Sequence, residues 1–166
     1  MKRVKWLAPV LAAAAALGMA AVALPGKGAW PIAEAHGDTI ESSLAVPPAV
    51  AKILARACRD CHSNQTALPW YASLPPASWL VARDIEQARA AMNLSAWSAG
   101  PGRNPQVGAA ILAAACADIR SGRMPLPAYR LMHPKSRLSQ ADRQIFCAWA
   151  DRSSGELLSS GGPFEP

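Results

Sequence analysis

Only two of this chain's four cysteines stand close together, and no second C-x-x-C pair occurs anywhere. A structural zinc site needs four ligands, so Cys116 and Cys147, far apart in the chain, leave a zinc reading short. No strand–helix–strand pattern surrounds the close pair, which removes the usual setting of a thioredoxin-type thiol site. Charge of one sign is also scarce. Removing Lys2, Arg3 and Lys5 from a formal +6 leaves +3, too little to argue a nucleic-acid or membrane-surface partner. Phenylalanine and tyrosine number two each against six tryptophans, and alanine supplies much of the 51% hydrophobic content, so the core is expected to be built from small residues and tryptophan. What the chain has in quantity is 15 prolines and 11 glycines, which imply long ordered loops. At 166 residues it has room for one modest domain plus extras.

The close pair sits in Cys58-Arg59-Asp60-Cys61-His62, a C-x-x-C-H run that reads as covalent attachment of a c-type haem. Two thiols add across the two haem vinyl groups, and the adjacent imidazole becomes an axial ligand of the iron. Residues three and four apart share a helix face, so Cys58, Cys61 and His62 reach one macrocycle from one turn and its exit. A di-haem peroxidase would need a second such run, and there is none.

Residues 1–24 have the three parts of an export signal: Lys2, Arg3 and Lys5, then the apolar run from Trp6 to Ala20, then small residues with an A-x-A site at Ala21-Val22-Ala23. A second A-x-A site is Ala33-Glu34-Ala35. The rival reading is an uncleaved anchor, because Trp6 to Leu24 nearly reaches the ~20 residues that span a bilayer. Alanine contributes little to insertion, which favours cleavage, and membrane contact is expected only if the segment stays. Either way the positive flank faces the cytoplasm and the haem domain lies on the far side, in the periplasm. Residues 25–48 are rich in Pro, Gly and small polar residues and read as a linker, with His36 a solvated member of it.

The haem domain is expected over 49–153. Val50, Ile53, Leu54 and Ala57 follow the spacing of an amphipathic helix that delivers Cys58. The stretch 63–76 is a proline-stiffened loop in which Trp70 and Tyr71 have two open readings, hydrogen bonding to a haem propionate or plain loop packing. A second helix is predicted from Ala77 to about Asn93, with Val81, Ile85, Ala88 and Met92 on one face, and a third from Gln106 to Ser121. The third is nearly all apolar from Val107 to Ala117, a run too short to cross a membrane and so a buried helix, stopped by Gly122. A last helix starts at Ser139, with Asp142 as its capping-box partner, and ends near Ser153 before a loose tail over 154–166.

Between these last two helices lies Arg123-Met124-Pro125-Leu126-Pro127. A thioether is a soft, neutral ligand suited to the sixth position of a cytochrome iron, so Met124 is the candidate, with Met132 and His133 as competitors. In an oxidising compartment Cys116 and Cys147, one on each helix, suggest a disulfide closing a loop that carries Met124. Terminal helices around a haem, with the methionine just before the last one, is the order of a class I cytochrome c, an all-α fold of about four helices.

The chain also resembles the bacterial family of exported single-haem c-type domains known as the haem-binding domain family. The matching pieces are Cys-Arg-Asp-Cys-His-Ser-Asn (58–64), Pro-Trp-Tyr (69–71), Ser-Trp-Leu (78–80) and Asn-Leu-Ser-Ala-Trp (93–97). Met-Pro-Leu-Pro-Ala-Tyr (124–129), His-Pro (133–134) and Leu-Ser (138–139) continue the series, over about residues 48 to 150. The resemblance implies a haem-binding domain with an electron-transfer role. The combined expectation is an exported carrier of one covalent haem c that passes single electrons between redox protein partners, loaded by haem-attachment machinery and catalysing no bond-making step. The alternative is a haem-based sensor whose sixth position is open or displaceable.

Overall fold

The computed structural model describes residues 38–98 and 100–160. The export-signal reading, His36 and the last six residues of the tail lie outside these. Among the described residues there are seven α-helices and no strand: α1 (Ile40–Ser43), α2 (Pro48–Ala57), α3 (Arg59–His62), α4 (Ala77–Ala91), α5 (Pro105–Ser121), α6 (Pro127–Met132) and α7 (Gln140–Ser160). The all-α expectation holds. No helix among the described residues is long and apolar enough to cross a membrane.

Contacts divide the chain into two compact units. The described part of the first is Leu68–Arg83. It holds a 3-10 turn over Trp70–Ser73, with Ala72 buried, and the start of α4. The second unit comprises the described residues up to Ala67 and from Asp84 onward.

The second unit is organised by the pairing of α5 and α7. On α5 the buried residues Gly108, Ala109, Leu112, Cys116 and Ile119 recur every three or four positions, and on α7 so do Phe146, Cys147, Trp149, Ala150 and Ser153. That spacing gives each helix one continuous apolar stripe. Small residues on α5 let α7 approach, Ser154 Oγ donates to the Ala109 carbonyl at 3.2 Å, and Cys116 and Cys147 are joined in a disulfide with Cα atoms 5.1 Å apart. The predicted cystine is therefore present.

Local chemistry sets the helix ends. Asn104 accepts from the Gln106 and Val107 amides at 2.9 and 3.2 Å, Pro105 occupies the first helical position, and Gly122 closes α5 with φ of +74°. At α7 the Asp142 carboxylate accepts the Ser139 amide at 2.8 Å while the Ser139 hydroxyl accepts the Asp142 amide at 3.1 Å. This is the reciprocal cap read from the sequence. Val50, Ile53, Leu54 and Ala57 are the buried residues of α2, as its periodicity required. Arg56, on its other side, pairs with Asp142 at 2.6 Å and so ties α2 to the start of α7.

Two boundaries differ from expectation. From Asp38 onward the stretch read as a linker belongs to the core: Ile40 is fully buried, Leu44 and Val46 pack against the cluster, and the Trp149 indole donates to the Ala45 carbonyl at 3.0 Å. Three isolated apolar side chains without a period carry no helix signal, yet each fills a slot made by distant residues. α7 also continues to Ser160, beyond the expected end near Ser153. Gly155 costs a helix about 1 kcal/mol, and the packing of Leu157 on the core offsets it.

Candidate functional site

The C-x-x-C-H run falls where α2 breaks into α3. The Cys58 carbonyl accepts the His62 amide at 2.8 Å and the Cys61 amide at 3.2 Å, so Cys58, Cys61 and His62 issue from a single turn. Beyond it, the chain is fastened to the end of α4 and the turn that follows. The Asn64 amide donates to Ser95 Oγ at 3.1 Å, and the Asn93 amide group donates to Asn64 Oδ1 at 2.9 Å. Arg89 donates to the Ser63 carbonyl and to Thr66 Oγ1 at 3.0 and 2.9 Å. These bonds give a physical role to the Asn-Leu-Ser-Ala-Trp motif: it splints the segment after the histidine.

His62 Nδ1 lies 3.0 Å from the Met92 carbonyl. A carbonyl only accepts, so Nδ1 carries the proton and Nε2 keeps its lone pair. Burial holds the imidazole below its ordinary pKa, against the opposing pull of the Met92 and Ala88 backbone bonds. A neutral ring with Nδ1 oriented by a backbone oxygen, and Nε2 keeping its lone pair, is the form that binds a metal.

His62 lines a cleft of about 760 Å³, its open mouth included, together with Cys58, Met92, Ile111, Met124, Pro125 and Phe146. The wall is almost wholly apolar. Its one acid, Asp118, is taken by Arg123, whose Nε donates at 2.8 Å. The Asp118 carbonyl also accepts the Met124 amide at 3.1 Å, so the C-terminal end of α5, turned by Gly122, sets where Met124 sits.

Of the competitors for the sixth position, Met132 is 52% exposed. His133 is stacked on Tyr129 with ring centroids 4.2 Å apart, and neither residue lines the cleft. Met92, read as core, is buried and lines the cleft as well. Cys61 is not among the lining residues. Trp70 and Tyr71 belong to the other unit, where Trp70 is 74% exposed and meets Tyr71 edge-on at 5.8 Å.

Both thiols of the run are free. Burial, reinforced by the neighbouring Cys61 and opposed by Arg56, pushes Cys58 up to about 12. Burial followed by Asp60 and Asp84, opposed by Arg89, pushes Cys61 up to about 11. The remaining two cysteines, which a four-sulfur zinc site would need, are spent on each other.

One contact of the site was not foreseen. The Tyr129 hydroxyl donates to Asp60 Oδ2 at 2.5 Å, joining α6 to the middle of the C-x-x-C-H run across 69 residues of sequence. Tyr129 was visible as the last residue of the Met-Pro-Leu-Pro-Ala-Tyr motif. Nothing in the sequence named its partner, because a variable position inside C-x-x-C-H carries no chemical signature.

An all-helical domain that brings a neutral imidazole, a thioether and a thiol to one apolar cleft is of the kind that holds a metalloporphyrin. The soft, uncharged donors and the lack of a free charge in the wall fit that group. A family model described as haem-binding domain matches residues 27–152, and the chain belongs to that family, with haem as its cofactor. The match begins inside the stretch read as a linker, in keeping with the burial of Ile40. Searches of the curated proteins and of the solved structures found no match.

Proposed function

We propose that this protein is a mono-haem c-type electron carrier with a class I cytochrome c-like arrangement. Cys58 and Cys61 would bond the haem vinyl groups, each thiol giving its sulfur to one vinyl carbon and its hydrogen to the other. His62 would bind the iron through Nε2 and Met124 through its sulfur. When bound, the haem supplies one-electron chemistry between Fe(III) and Fe(II).

The observation that carries the reading is that His62 and Met124 line one apolar cleft, each fixed by a backbone carbonyl, Met92 for the ring and Asp118 for the Met124 amide. The packing of α2, which delivers the attachment turn, on the last helix α7 supports the cytochrome-like order. The chain's own residues then exclude water from the iron, hold the imidazole neutral and present a soft sixth donor that raises the reduction potential. The one carboxylate of the cleft wall is paired with Arg123, which supports a carrier over bond-making catalysis. The export-signal pattern of residues 1–24 supports work in the periplasm, with redox proteins as partners and haem-attachment machinery as the loading system.

The test is the absorption spectrum of protein made with that machinery, wild type beside Met124→Ala. The wild type is expected to be six-coordinate and low-spin, with a methionine–iron charge-transfer band that the variant lacks. A band unchanged in the variant rejects Met124. A reduced wild-type spectrum that shifts on adding carbon monoxide identifies a ligand-binding module instead of a carrier.

A further inference from the structure

Beside the cleft runs a second groove, lined by Pro127, Arg130, Leu131, Arg137, Leu138 and Arg143. Three of its six residues are arginines and none is acidic. The ion pairs of the described residues are Arg56–Asp142, Arg59–Glu41 and Arg123–Asp118, so none of the three groove arginines has a carboxylate partner among them. The nearest acid in sequence, Asp142, is already held by Arg56 and Ser139. Among the described residues the Arg137 side chain donates one long bond, of 3.4 Å, to the Arg130 carbonyl.

Arg143 Nε is buried without a hydrogen-bond partner among the described residues. A buried guanidinium N–H left unpaired is costly, and native structures rarely tolerate one. Three guanidinium forks lining one groove without a counter-charge suit the two-oxygen geometry of a carboxylate. Leu138 supplies a second observation, for it lines both this groove and the haem cleft. Between the two run Met124, Pro125 and Pro127, the first two in the cleft wall and the last in the groove wall.

We propose that Arg130, Arg137 and Arg143 form a carboxylate-binding site. Its carboxylate comes either from a propionate of the haem in the adjoining cleft or from a free dicarboxylate in solution. The first source rests on the haem reading above; the second does not.

The experiment compares the haem-loaded wild type with Arg143→Gln and Arg137→Gln, after absorption spectra establish that each keeps its haem. In one arm the reduction potential is followed from pH 5 to pH 9. A propionate held by the arginines ionises at low pH, giving a flat wild-type curve, and Arg143→Gln brings an inflection into the window as the carboxyl, stripped of its cation but still desolvated, titrates higher. In the other arm succinate is titrated at low salt while the Nε–H resonances of the groove arginines are observed by NMR, those of Arg130 and Arg137 being followed in Arg143→Gln.

Succinate binding to the wild type, about tenfold weaker in Arg143→Gln, assigns the site to a free carboxylate. Superimposable potential curves together with unmoved Nε–H resonances overturn the proposal. Should the purified protein carry no haem at all, the haem reading fails separately, and the succinate arm still decides the groove.

Discussion

At the scale of single residues, the site depends on backbone carbonyls choosing what side chains do. His62 gives its Nδ1 proton to Met92, and Met124 hangs from Asp118 through its own amide. The link between the two halves is Tyr129, whose hydroxyl reaches Asp60 beside the histidine while its ring stacks on His133. Removing that hydroxyl keeps the ring and cuts the tie. A hydrogen bond to a charged group contributes about 1.5–3 kcal/mol, so Tyr129→Phe is expected to lose part of that in chemical denaturation. The loop presenting Met124 then swings away more readily, and added imidazole should bind the ferric protein several-fold more tightly than in wild type. If Tyr129 serves only as packing, the ring alone suffices and both measurements stay where they were.

At the scale of elements, legibility followed periodicity. α2, α5 and the start of α7 were readable because each repeats an apolar stripe and ends on a residue with cap chemistry: Pro48, Asn104 with Gly122, and Ser139 with Asp142. The short helix α1 was not, since Ile40 finds its neighbours among distant residues and has no local repeat to announce it. Likewise Met124 could be proposed as a ligand from its chemistry and its place before the last helix, whereas the seat of His133 against Tyr129, away from the cleft lining, had no local signal. The α7 cap yields a pH prediction. Burial raises the Asp142 carboxyl, but bonds from Arg56 and Ser139 outweigh it and leave the pKa below its ordinary value. A carboxyl depressed on folding contributes stability above the unfolded value, near 4, and loses it as pH falls through the folded one. Asp142→Asn should therefore cost about 1 kcal/mol in urea unfolding at pH 6, with the gap to wild type closing as the pH falls through the depressed folded pKa. A gap that persists in acid would mean that the side chain matters by shape and not by charge.

For the whole molecule the governing feature is the cystine between α5 and α7. It closes a segment of sequence separation 31 that carries Met124, Tyr129 and all three arginines of the second groove. Loop-closure entropy for that length gives about 3–4 kcal/mol of stabilisation, an upper figure because the reduced, unfolded chain keeps some structure. The α5–α7 stripe should hold the helices together without the bond, since Leu112, Ile119, Phe146 and Trp149 bury large apolar side chains on either side of it. The two contributions separate in the double variant Cys116→Ala, Cys147→Ala, loaded with haem. If the crosslink limits the unfolded chain, the variant keeps its folded spectrum in mild conditions and unfolds at lower urea by about 2–4 kcal/mol. The affinity of added imidazole for the iron should stay near that of wild type, because the ligand loop is still seated by Asp118 and Tyr129. If instead the crosslink itself presses Met124 toward the cleft, imidazole affinity rises in the variant even where the stability loss is small. A loss under about 1 kcal/mol with unchanged imidazole binding would assign both jobs to the apolar stripe and leave the disulfide without a measurable role in this fold.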